Sequence, residues 1–244
     1  MSEQTWTVAI DQTNTLGPMF FFVLSQFEKL FGQEIMRAEK CFVYNDPAAD
    51  FPITIFNSTP IKIRTSVETL AYKNQLVYHL SHELMHYAFR QKRAKKDEYL
   101  SWFEELVCEA ISLYILKYSG AYWKACKLSR QDQFYGRYMT SYLREVLDEQ
   151  ATDRFSTCTS IDRLAEYEKV AETDRAAHIS ERNALYNEFL KDPSQIKHLL
   201  NYADYRTGPG RLLIDFDQWH ADCPSVLIRF VGQMQPCNPN DYSN

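Results

Sequence analysis

His82-Glu83-Leu84-Met85-His86 is the stretch on which the reading of this chain turns. Two histidines four residues apart on a helix project from one face, so both imidazoles can reach a single ion. The glutamate between them lies on the adjoining edge, where it can act as general base on a water whose pKa that ion lowers. The flanks carry a helical period. Val77, Leu80, Leu84 and Ala88 fall on one side as core-facing residues, and His79, His82, Glu83 and His86 fall together on the other. His79, one turn before His82, is either a partner that orients a ligand or a packed helix histidine.

Downstream, a metal site of this kind needs a third protein ligand. The next helical stretch reads Ser101-Trp102-Phe103-Glu104-Glu105-Leu106-Val107-Cys108-Glu109. Ser101 and Glu104 have the spacing of a capping box, which gives Glu104 a structural role at the helix start. Glu105 then points from the second turn, with 18 residues between it and His86, and Glu109 follows one turn later on the same face. A short charged turn, Lys95 to Glu98, would let the two helices pack antiparallel and bring the glutamate face to the histidines.

Upstream the texture is different. Thr5 to Ile10 and Cys41 to Tyr44 read as strands, and Gly17 to Phe31 reads as a helix. Ile53-Thr54-Ile55-Phe56 and Ile61 to Arg64 read as two strands joined by a turn at Asn57-Ser58-Thr59-Pro60. Beyond Thr65 glycine and proline become scarce until Pro193, so helices are expected from about Val67 to Leu200. Thr207-Gly208-Pro209-Gly210 is the clearest later break, followed by an expected strand, Leu212 to Phe216, and an expected helix, Pro224 to Met234. The expected fold is α+β: a small N-terminal mixed or antiparallel sheet, then a mainly helical remainder. The expected division is a core at 1–118 and a helical part at 119–244, with the break near 207–210.

Composition narrows the function. The 244 residues are 45% hydrophobic and 24% charged, which excludes disordered and low-complexity readings. A net charge of -5 supplies no basic surface for nucleic acid. The most apolar early stretch, Met19 to Leu24, is too short to span a bilayer, so no membrane role is expected. Six cysteines form no C-x-x-C pair, and Met1-Ser2-Glu3-Gln4 lacks the basic start of a signal peptide. Reduced thiols in a cytoplasmic protein are expected, with any metal held by histidine and carboxylate. Cys108 would be a nucleophile only with a histidine base beside it.

H-E-x-x-H followed after 18 residues by the glutamate of W-F-E-E-x-x-x-E resembles the gluzincin zinc metallopeptidases, whose familiar members are aminopeptidase-N-like and thermolysin-like. The resemblance covers residues 50 to 118 and implies a zincin-like core. It implies Zn2+ bound by His82, His86 and Glu105, Glu83 as general base, and a peptide or protein substrate. Glu109 would then be the acid that orients a histidine from behind. A second alignment sets Cys108-Glu109-Ala110-Ile111-Ser112 on the thermolysin-like E-A-I-S stretch and makes Glu109 the ligand. Phe89 and Lys92 stand where the metzincin continuation needs glycine and histidine, so that branch is excluded. Leu106 replaces the small residue common after the ligand, and the glycine-rich exopeptidase motif is absent.

In that superfamily a strand before the active helix forms the edge that receives an extended peptide. Ile53, Thr54, Ile55 and Phe56, or Ile61 to Arg64, would fill that place. An oxyanion donor is also implied, with His178, His198, His220 and Tyr114 among the candidates. Tyr135, Tyr138 and Tyr142 share a helical stripe of core or interface character. The competing functional class is a non-catalytic zincin-like module that binds a protein partner through the helical C-terminal part.

Overall fold

The computed structural model describes residues 5–96 and 98–238; the opening Met1–Gln4 lies outside them. The chain is mixed α/β, mainly helical, with a small mixed sheet. It forms two compact units, 1–91 with 111–147 and 92–110 with 148–244. Residues 119–147, grouped by sequence with the C-terminal part, cluster with the first unit.

In the first unit, β1 (Trp6–Val8) leads through α1 (Leu16–Phe31) and the single turn α2 (Gln33–Met36) to β2 (Cys41–Asn45). β3 (Ile53–Ile55) and β4 (Ile61–Thr65) follow. The strand order is β1-β2-β4-β3; β2 runs parallel to both β1 and β4, and β3 is antiparallel to β4. The alternation of Ile61 and Ile63 with Lys62 and Arg64 buries one face and wets the other. The strand expected over Thr5–Ile10 is only three residues long, and Ile10 is fully exposed beyond the core. Phe56 leaves the expected strand and lies in the turn.

α1 starts without a side-chain cap from Thr15, because Asp11 does that work from outside the helix. Its carboxylate accepts from the N–H groups of Thr13, Thr15 and Leu16. Met19, Phe20, Val23, Leu24 and Phe27 form the buried stripe. Trp6 bridges Phe20 and Tyr87, at 5.0 Å from each ring, and its indole N–H donates to Met36 O.

α3 (Lys73–Lys92) begins later than expected, after a turn at Thr69–Tyr72. The tyrosine that opens α5 (Tyr135–Leu147) sets that start. The Tyr135 hydroxyl accepts from the Lys73 N–H at 2.8 Å and lies 2.9 Å from both Ala71 O and Asn74 Oδ1. Farther along, the Tyr87 hydroxyl accepts the Glu39 N–H at 3.0 Å, tying α3 to the chain that enters β2.

α4 (Ser101–Ala121) is one continuous helix; its first half belongs to the second unit and its second half to the first. The second unit adds α6 (Ile161–Glu168), α7 (Ile179–Lys191), a 3-10 segment (Pro193–Tyr205), a two-stranded ladder of β5 (Arg206–Thr207) and β6 (Leu213–Ile214), α8 (Phe216–Asp222) and α9 (Val226–Gly232). The strand expected at Leu212–Phe216 is shorter because Asp215 caps a helix, its carboxylate accepting the Gln218 N–H. Ser225 likewise starts α9 inside the helix expected at Pro224–Met234. The expected break holds Gly208 and Gly210, both at positive φ. No helix among the described residues is long and apolar enough to cross a membrane.

Candidate metal centre

The H-E-x-x-H segment lies in the middle of α3, where residues 80–85 are all buried. His82 and Glu83 are each only 3% exposed, and His86 is half-buried. The sequence pattern assigned a core to one side of this helix only; the histidine side is enclosed as well. Buried imidazole and carboxylate groups need polar partners or an ion, because desolvation otherwise disfavours them.

The two imidazoles converge. His82 Nε2 and His86 Nε2 are 3.2 Å apart, with ring centroids 4.9 Å apart and planes at 65°. Two nitrogens each about 2.05 Å from a tetrahedral zinc ion would stand about 3.3 Å from one another. The observed separation therefore fits a shared ion. It also permits a single N–H···N bond between unlike tautomers.

Glu83 is held by the sheet. Its Oε2 accepts a hydrogen bond from the Thr54 hydroxyl at 2.8 Å; the same hydroxyl lies 3.2 Å from the Glu83 main-chain oxygen. A hydroxyl has one proton, so the shorter contact, to the carboxylate, is the better bond. Thr54 is the central residue of β3, and the period of two turns it inward while Ile53 and Ile55 remain half-buried. A threonine buried at that point needs a partner, and Glu83 supplies it. β3 is also an edge of the sheet, with β4 on one side only. Of the two strands proposed as the edge, Ile53–Ile55 has that position and Ile61–Thr65 is interior. Arg90, one turn beyond His86, lies over the Phe56 ring at 4.8 Å.

The first half of α4 carries Glu104, Glu105 and Glu109, all buried. The Ser101 N–H, which a capping box would direct to Glu104, goes to Glu168 at 2.7 Å, and the Trp102 N–H donates to the other Glu168 oxygen at 2.8 Å. Burial raises the Glu168 carboxyl above its ordinary range against the pull of those bonds. Glu104, released from capping, pairs with Arg93 at 3.3 Å and accepts a short hydrogen bond from the Tyr202 hydroxyl. Burial, then the Glu104 charge, pushes the Tyr202 phenol well above its usual value.

Glu109 pairs with Arg182 at 3.2 Å, and both side chains are 1% exposed. Arg182 also reaches Glu149 at 3.1 Å, and Arg175 lies 3.6 Å from the other Glu109 oxygen. Glu109 is thus committed to a buried ion pair, whatever else it does.

Among the described residues, His82, His86 and Cys108 form a group that can hold a metal ion. Cys108 is buried, and the sequence assigned it no part in metal binding. Its only sequence signal is its place between Glu105 and Glu109 on the same helix. Glu105 is buried on α4, and His79 is half-buried on α3.

Two of the other histidine candidates have near partners. His178 Nδ1 lies 2.6 Å from the Tyr167 hydroxyl, and His198 Nδ1 lies 3.2 Å from Cys223 Sγ. Burial raises the Tyr114 phenol. Of the tyrosine stripe, Tyr135 is buried and caps α3, Tyr138 is exposed, and Tyr142 meets Tyr78 edge-on at 6.2 Å. Comparison with protein-family models, with curated proteins and with solved structures found no match.

Proposed function

We propose that this chain is a zinc-dependent hydrolase, a peptidase of the gluzincin kind, with a zincin-like core formed by the β3 edge and helices α3 and α4. One observation carries the reading: His82 Nε2 and His86 Nε2 converge to 3.2 Å on a buried helix, next to a Glu83 carboxylate that an edge-strand threonine holds. His82, His86 and Cys108, whose donor atoms lie within 4.8 Å of one another, would hold the ion; Glu105, the ligand that the gluzincin resemblance implies, is the alternative third donor. Zinc, when bound, supplies a Lewis acid that polarises a carbonyl and makes water acidic enough to lose a proton near neutral pH.

Glu83 would take a proton from the attacking water and deliver it to the leaving amine. Thr54 keeps the Glu83 carboxylate oriented while it does so, and the enclosure of His82 and Glu83 excludes bulk water. β3 is an edge strand of the sheet, so an extended peptide or protein segment can pair with it as an added strand. A cytoplasmic place of action fits six cysteines held as thiols, five of them buried.

Elemental analysis of the purified chain tests the metal, and a peptide library tests the chemistry. Glu83→Gln is expected to keep zinc and lose hydrolysis, and His82→Ala is expected to lose zinc. Comparison of Glu105→Ala with Cys108→Ser identifies the third donor by which one sheds zinc. Wild-type cleavage by Glu83→Gln would end the mechanism. Stoichiometric zinc without any cleavage would support the non-catalytic partner-binding module instead.

A further inference from the structure

Cys223 differs from the other cysteines. Those five are buried, and burial raises the thiols of Cys41, to about 12, and of Cys126 and Cys158. Cys223 is half-buried at the end of α8, where its N–H donates to Trp219 O at 2.9 Å. Its Sγ lies 3.2 Å from Nδ1 of His198, which comes from the 3-10 segment 193–205. That is hydrogen-bond reach between a nucleophile and a base.

Both members of the pair are fixed by their own elements. Ile196, Leu199 and Leu200 anchor the segment on either side of His198, which remains half-buried. Tyr205, at the end of the segment, stacks on Trp219 of α8 at 5.4 Å and 14°. Burial, then Lys197, lowers the His198 pKa, and the Asp192 charge opposes them. Tyr205, Asp222 and Asp204 are titratable groups on the Cys223 side. A neutral imidazole at neutral pH is free to accept a proton from the thiol.

We propose that Cys223, with His198 as its proton acceptor, is a thiol–disulfide exchange site that takes small disulfides of the glutathione class. The Cys223 S–H bond breaks and its proton passes to His198 Nδ1. The Cys223 sulfur then bonds to one sulfur of the disulfide, whose S–S bond breaks. The departing thiolate takes the proton back from His198. Cysteine is oxidised to a mixed disulfide, the glutathione disulfide is reduced by the same electron pair, and a second thiol reverses the step. The site uses no residue of the proposed zinc centre, so it stands or falls independently of it.

The test treats the full folded chain with glutathione disulfide and follows each cysteine by peptide mass mapping. Cys223 is expected to react first among the six thiols. His198→Gln is expected to slow it about tenfold or more, a modest share of what a positioned base supplies. Cys223→Ser is expected to take up no glutathione under the same conditions, and this variant decides the matter should His198→Gln fold poorly. Prior modification of another cysteine would overturn the proposal. So would equal rates in the wild type and a folded His198→Gln, or undiminished uptake by Cys223→Ser.

Discussion

Replacing Thr54 with valine removes one hydroxyl and preserves shape, so it isolates the bond to Glu83. That bond is 2.8 Å long, and its acceptor residue is 3% exposed, so water has little room to replace the lost donor. A hydrogen bond to a charged partner contributes about 1.5–3 kcal/mol net. In a chain of this size each 1 kcal/mol moves the thermal midpoint by about 2–4 °C, so Thr54→Val should lower it by about 3–12 °C. Thr54→Ser keeps the hydroxyl and should recover most of the loss. In a Glu83→Gln background the acceptor is neutral, and the same change should be smaller, about 0.5–1.5 kcal/mol. Turnover by Thr54→Val should fall, by up to about 10²-fold if the base shifts by an ångström, while KM stays near its original value. Scanning calorimetry on the four variants and steady-state kinetics on those that turn over measure all of this. Equal midpoints for the valine and serine variants, with unchanged turnover, would refute the claim that the edge strand holds the base.

Arg182→Met should remove the buried cation from the Glu109 carboxylate, leave it Arg175 at 3.6 Å, and destabilise the chain by up to about 3–5 kcal/mol. A thermal scan checks it, and adding Glu109→Gln should restore part of the loss; no shift in the first variant would mean that the pair carries no stability. Glu168 gives a pH signature. Its folded pKa is raised above the ordinary 4.5, so its contribution is fully present below the unfolded value and is lost as pH rises through the folded one. The stability of the wild type relative to Glu168→Gln should therefore increase as the pH is lowered towards 4.5, read as the difference in unfolding midpoint across a pH series. A difference that stays flat, or moves the other way, would contradict the raised pKa.

Some of this architecture was legible because its causes are local. Alternation in Ile61-Lys62-Ile63-Arg64 announces a strand with one buried face, and β4 lies there. The run from Asn57 to Pro60 announces the reversal that joins β3 to β4. The four-residue spacing of His82 and His86 announces a shared helix face, and the two nitrogens do meet. The helix ends were less legible, because the groups that fix them come from afar. Ser101 and Glu104 have capping-box spacing, yet the cap is Glu168, 67 residues from Ser101. Lys73 begins α3 because a tyrosine 62 residues away accepts its N–H. Spacing could not identify β3 as the edge either, since that depends on β2 inserting between β1 and β4.

The acids of α4 show why a motif read in isolation overstates its own completeness. The helix carries three glutamates: spacing offered Glu104 a cap, and the gluzincin resemblance offered Glu105 and Glu109 the roles of ligand and orienting acid. Two of the three answer to cations and donors far along the chain: Glu104 to Arg93 and Tyr202, Glu109 to Arg182 and Arg175. Buried carboxylates are tolerated only where such partners remove the desolvation penalty. The expected core at 1–118 would keep Arg93 but lose Tyr202, Arg182, Arg175 and the Glu168 cap. The proposed third-ligand helix therefore depends on residues of the C-terminal helices as well as on the motif region. Those helices are a condition for α4 to carry buried acids at all, which gives the large helical part of this chain a physical role without any partner protein.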